Sequence, residues 1–178
     1  MSTKLTYSEA QAYLADLAQR GELGPMAEEW VERLAAKAWP WFRSSEKLDD
    51  FLQGLFPGTH AGGWSTTVVI AEPAVDHLVN YGELWVGPVF SEMEVRRCHD
   101  NVACLYAEGI IDEVYTGFAL TKDGMWRSHS WGMRLVPGEN NEPVWEVIET
   151  TEPRLMYFGV PDPEFDEDPN PDLLPYFS

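Results

Sequence analysis

The chain has 178 residues, 44% of them hydrophobic and 13% aromatic, which suits one folded domain around a single core and excludes disorder over most of its length. Its 30 acidic and 12 basic side chains leave a formal charge of -18, a field that repels nucleic-acid phosphates and anionic lipid surfaces. No run of 18 apolar residues is present, and the opening MSTKLTYSEAQAYL has no apolar segment followed by a small-residue cleavage site, so neither a membrane span nor secretion is expected and a cytoplasmic setting is.

Residues 7 to 56 read as three helices. The first opens at Thr6 or Ser8, carries Ala12, Leu14, Ala15, Leu17 and Ala18 as an apolar stripe, and ends near Gly21. The second begins at Pro25, has Glu28 and Glu29 in its first turns, buries Trp30, Val31, Leu34, Ala35 and Ala38, and stops at Pro40. The third runs from Ser44 through Leu48, Phe51, Leu52 and Leu55 to the breaker Pro57-Gly58. A Gly-rich loop, 58 to 64, leads to a β-branched strand over 65 to 71, then a short helix from Pro73 to Asn80 and a short strand from Glu83 to Val86. Ser91-x-x-Glu94 has the form of a capping box and predicts a helix from there to about Glu108, containing Cys98 and Cys104; six residues apart on one helix, these two point to different faces and should stay free thiols.

From Ile110 the period changes to alternation, predicting strands at about 113 to 120, 125 to 136, 143 to 151 and 154 to 159, joined by turns at 121 to 124 and 137 to 141. The expected fold is α+β: one domain over 1–160, with a helical subdomain over 1–57 packed on an antiparallel meander sheet, and an acidic, Pro-rich tail over 161–178.

The hairpin around Glu139 can be registered by counting. A turn centred there sets Leu135 opposite Pro143, Met133 opposite Trp145, Trp131 opposite Val147 and His129 opposite Glu149, all on one face. Three of these pairs are apolar; the fourth sets an imidazole against a carboxylate that can fix its tautomer and leave the other ring nitrogen as a base. An odd slip would substitute Glu146 or Glu152 and turn Trp145 outward. The nucleophile this base lacks is Cys98, provided the preceding helix packs against this sheet; its thiolate gains from a protonated His and the adjacent Arg96 and Arg97, and from the helix N-terminus only if the regular helix starts near Arg96 and not at Ser91. The bland alternatives are a buried Cys98 on the stripe with Val102 and Leu105, and a cross-strand ion pair between His129 and Glu149.

Cys98 in RRCHDNVACLYAEG, His129 in MWRSHSWG and Glu149 in WEVIETTE, in that order over roughly a third of the chain, resemble the papain-like cysteine hydrolases, including the compact bacterial toxin glutamine deamidases. The resemblance is one of order and topology. It implies Cys98 as nucleophile, His129 as general base and Glu149 as the group orienting it, with an oxyanion hole from the Cys98 amide and an upstream donor. Gln53, Asn80 and Asn101 are the candidates for that donor, and the orienting residue is Glu where the family more often has Asn or Asp. Trp64, Trp131 and Asn101 are candidate substrate-binding residues.

No cofactor is expected. A metal site built from His60, His77, His99 and His129 would need four separate elements to converge, and Asp112, Glu113 and the run from Asp162 to Asp172 read as solvated surface. The function expected is cysteine-dependent acyl transfer on a protein or peptide amide. The rival is a non-catalytic acidic interaction protein, of immunity or inhibitor type, that covers a basic partner and binds through Asp166, Glu167, Asp168 and Asp172.

Overall fold

The computed structural model describes residues 1–24, 46–61 and 72–165. The helix expected from Pro25, the strand expected over 65 to 71, Trp64 and the acidic run from Asp166 to Asp172 lie outside the described residues.

Helix α1, Tyr7–Gln19, starts where its cap is satisfied twice: the Thr6 hydroxyl accepts the Glu9 amide, and the Glu9 carboxylate accepts the Thr6 amide at 2.7 Å. Helices α2, Glu46–Leu55, and α3, Glu72–Tyr81, follow, each with an apolar stripe that is buried at Leu48, Leu52 and Leu55 and at Val75 and Leu78. Together with Leu14 and Leu17 of α1 they pack on one face of the sheet, where Phe118, Leu120, Trp126, Met156 and Phe158 complete the largest core cluster.

The sheet comprises β1, Thr3–Leu5; β2, His60–Ala61; β3, Glu83–Val86; β4, Val89–Phe90; β5, Glu113–Leu120; β6, Met125–Pro137; β7, Pro143–Glu149; and β8, Met156–Pro161. Its order is β1-β3-β8-β5-β6-β7-β4, with β2 pairing β6 off that path. Strands β5, β6 and β7 form the expected meander, but the sheet as a whole is mixed: β4 runs parallel to β7 and β2 parallel to β6. Strand β8 also departs from a simple meander, because it inserts between β3 and β5. Among the described residues, no helix is long and apolar enough to cross a membrane.

Side chains alternate across the pleat, so the sheet has a second buried face, occupied by Trp85, Tyr115, Ala119, Trp131, Met133, Val147 and Tyr157. Helix α4, Cys98–Ala107, packs through Val102 and Leu105 against Ile111, Val114 and Ile148.

The capping box read at Ser91 does not open a helix. Ser91 and Met93 give their amides to the carbonyls of Glu149 and Thr150, which keeps this stretch extended beside the end of β7. The chain then turns through Arg96, held at φ 66°, and α4 begins at Cys98.

Candidate active site

Cys98 is therefore the first residue of a helix, where backbone amides lack intrahelical acceptors and the macrodipole favours negative charge. Burial alone would raise its thiol pKa. Hydrogen bonding to His129, the charge of that ring and donation from the Ser130 and His99 amides outweigh burial, and the thiol is lowered overall. The β6–β7 ladder explains how Ser130 is free to do this: its last pair is Gly132 with Ile148, and beyond it the Ser130 amide serves sulfur in place of a neighbouring strand.

His129 and Glu149 meet, but not as directly opposed residues. Paired residues of β6 and β7 have numbers that add to 280, as in Met133 with Val147 and Leu135 with Trp145, so the hairpin is shifted by two from the expected register. The cause is the turn. Residues Glu139–Asn141 form one 3-10 turn in which Asn140 and Asn141 take φ of 65° and 63°, which moves the centre of the hairpin by one residue. An even shift keeps every side chain on its face, so Glu149 becomes the diagonal neighbour of His129 and its Oε2 lies 2.8 Å from Nε2. With Nε2 committed to Glu149, Nδ1 is the nitrogen left for the thiol.

Glu149 has no solvent exposure, and a carboxylate buried without donors would be protonated. Here Oε1 accepts the Thr151 amide at 2.8 Å and the Thr151 hydroxyl at 2.9 Å, while Oε2 accepts the Tyr157 hydroxyl at 2.8 Å as well as the His129 ring. Burial would raise the carboxyl; these bonds and the His129 charge bring it down to about 2. Burial would likewise lower His129, but Cys98 and Glu149 on its two sides raise it to about 9. The arrangement thus favours an imidazolium held by a carboxylate, with a thiol beside it whose proton is lost more readily than usual.

Trp131 stacks on the His129 ring with centroids 6.4 Å apart and planes at 21°, and packs on Tyr157 at 5.2 Å. It is fully buried, so it is a wall behind the imidazole and not the substrate-binding surface expected of it. Asn101 also departs from expectation: its amide donates to the Glu94 carbonyl at 2.7 Å and faces the Thr150 hydroxyl at 3.4 Å, tying α4 to the preceding loop. As a source of the second oxyanion donor Gln53 is no better placed, since it bonds the His60 ring and the Gly58 amide; Asn80 sits on α3. Arg97 turns to Glu94 and Asp100, at 3.1 and 2.8 Å, and not to the thiol it was expected to help.

Asp162 corrects another expectation. It is 1% exposed instead of solvated, its amide donates to the Val114 carbonyl, and burial raises its carboxyl. A cavity of about 340 Å³ lies beside it, and neither Cys98, His129 nor Glu149 lines that cavity. Both cysteines are free, and among the described residues no group of three or more His, Cys, Asp or Glu side chains is placed to hold a metal.

Tyr157 and Thr151 were not foreseen. Thr151 had a local signal, since a Thr two residues after a buried carboxylate readily folds back to it. Tyr157 had none, because its approach depends on β8 returning between β3 and β5. No family model matches this chain, and neither does a curated protein or a solved structure. The chemistry must be argued from the side chains alone.

Proposed function

We propose that the protein is a cysteine-dependent acyl-transfer enzyme, an amidase, deamidase or peptidase, acting on a protein or peptide amide. The observation that carries this reading is the continuous chain of contacts from a helix-start cysteine through a buried imidazole to a carboxylate saturated with donors. In this reading the Cys98 thiolate attacks the amide carbon, the carbonyl π pair moves to oxygen, and the oxyanion is met by the Cys98 backbone amide at the helix start. His129 then gives its proton to the departing nitrogen as the C–N bond breaks, leaving a thioester. Water, deprotonated by the now neutral His129, hydrolyses the thioester and restores the ion pair. Glu149 keeps the ring oriented throughout and stabilises its charge whenever the ring holds the proton.

The order of nucleophile on a helix, base on a strand and carboxylate on the next is the papain-like one. Two free thiols suit a reducing, cytoplasmic setting. The net charge of -18 favours basic substrates, and the same charge is what supports the rival reading of a non-catalytic acidic interaction protein.

The deciding measurement is the rate of Cys98 alkylation by iodoacetamide against pH, made in Cys104→Ser. The enzyme reading expects alkylation that stays fast well below the ordinary thiol range and slows at least tenfold at pH 6 in Glu149→Gln. A thiol that reacts only above pH 8, or not at all, returns Cys98 to a structural role and leaves the interaction protein as the better account.

A further inference from the structure

We infer that Tyr157 is a positioning residue for this site: its hydroxyl, bonded to the same Glu149 oxygen that holds His129, keeps the carboxylate an anion and so keeps the imidazole charged. The inference rests on the acyl-transfer reading for its meaning in catalysis, but its physical content can be tested without it.

Glu149 is surrounded on all sides by groups that bear on its charge. His129 reaches it from β6, the Thr151 amide and hydroxyl from the turn after β7, and Tyr157 from β8; Cys98 stands on the far side of His129. Arg154 lies near the Tyr157 hydroxyl but directs its guanidinium to Glu152 at 2.9 Å. The two oxygens are therefore held differently. Oε1 is served by its own turn, whereas Oε2 shares its lone pairs between the ring it must hold and a phenol from a strand distant in sequence.

A phenol is a suitable second donor. Burial and the adjacent carboxylate push its own ionisation far upward, so it remains a donor at every working pH. Without it, Oε2 would have only the imidazolium as a donor, and the carboxyl would take up a proton more readily. Once Glu149 is neutral, the charge that stabilises the imidazolium is gone, and with it the thiolate–imidazolium pair. Tyr157 thus helps to set the pH down to which the imidazolium keeps its anionic partner.

Tyr157→Phe removes only the hydroxyl. The Glu149 carboxyl carbon and the His129 ring are followed by NMR titration, and Cys98 alkylation by iodoacetamide is followed over the same pH range in Cys104→Ser. The expected result is a tenfold or greater rise in the proton affinity of Glu149, with the acid-side change in the His129 ring signals, which reports loss of its anionic partner, moving to higher pH by the same factor. Thr151→Val, which strips a donor from the other oxygen, should raise Glu149 as well, and Thr151→Ser should restore it. 3-Fluorotyrosine at position 157, a stronger donor, should move Glu149 in the opposite direction from phenylalanine. A Glu149 titration unchanged in Tyr157→Phe would overturn the inference even if the protein were destabilised, because the hydroxyl would then have no bearing on the charge of the carboxylate. A Glu149 shift accompanied by a Cys98 that is unreactive in every variant would uphold the role of Tyr157 on the carboxylate and sink the acyl-transfer reading instead.

Discussion

At the scale of single residues, Glu149 is the group on which the site depends, because a fully buried carboxylate survives as an anion only where donors replace its lost water. Glu149→Gln keeps the shape and removes the charge, leaving His129 buried without its anion and one Glu149 acceptor replaced by a donor. Breaking a buried pair in this way costs about 3 kcal/mol, to be read from urea denaturation at pH 6. Cys98→Ala should differ sharply. The thiol is only partly buried and packs at a helix start, so its loss should change stability by less than about 1 kcal/mol in the same urea denaturation, while on the proposed acyl-transfer reading it removes the nucleophile. That Cys98, His129 and Glu149 come together was legible in the sequence because each carries its own chemistry and the hairpin parity put two of them on one face. It could not show that Arg97 would prefer Glu94 and Asp100, since a flexible charged side chain takes whichever partner the local backbone offers.

Among the elements, alternation and turn residues located β5, β6 and β7 to within two residues, and an even error in register left the site intact where an odd one would have dismantled it. The start of α4 was misread for a different reason. A capping box is a local signal, and here the amides it would have organised are spent on the end of β7. Arg96 bears the consequence as a left-handed non-glycine residue, so Arg96→Gly should raise the melting temperature slightly, by the equivalent of about 0.5 kcal/mol. The insertion of β8 was not legible at all, because nothing in its own residues specifies β5 as a partner. That insertion has a tight requirement, in that Gly117 and Gly159 pair across it. A methyl group on Gly159 would sit 2.3 Å from the Trp131 ring and 2.4 Å from the Thr116 carbonyl. The ring of Trp131 is the wall behind His129, so Gly159→Ala should cost about 1–3 kcal/mol by calorimetry and also slow Cys98 alkylation.

Across the whole molecule, two electrostatic terms with different salt sensitivity should shape stability against pH. The first is local. Glu149 is held at about 2 against an ordinary 4.5, so its contribution is complete above 4.5 and is lost as pH falls through 2. His129 is held at about 9 against an ordinary 6.5, so its contribution is complete below 6.5 and is lost as pH rises through 9. The pair therefore stabilises fully only between about pH 4.5 and 6.5. The second term is the self-repulsion of a chain with a charge of -18, which grows as the surface carboxylates ionise and then stays high through neutral pH. Added salt screens exposed charges but hardly reaches a pair with 4% and 0% side-chain exposure. Urea denaturation at 20 mM and 500 mM sodium chloride should thus give a stability maximum between pH 5 and 6.5, a rise with salt at pH 8, and a decline from pH 6.5 to 9 that persists at both salts. In Glu149→Gln that decline should flatten while the salt response remains. A decline that disappeared at 500 mM salt in the unaltered protein would assign it to the surface and remove the pair from the account of stability.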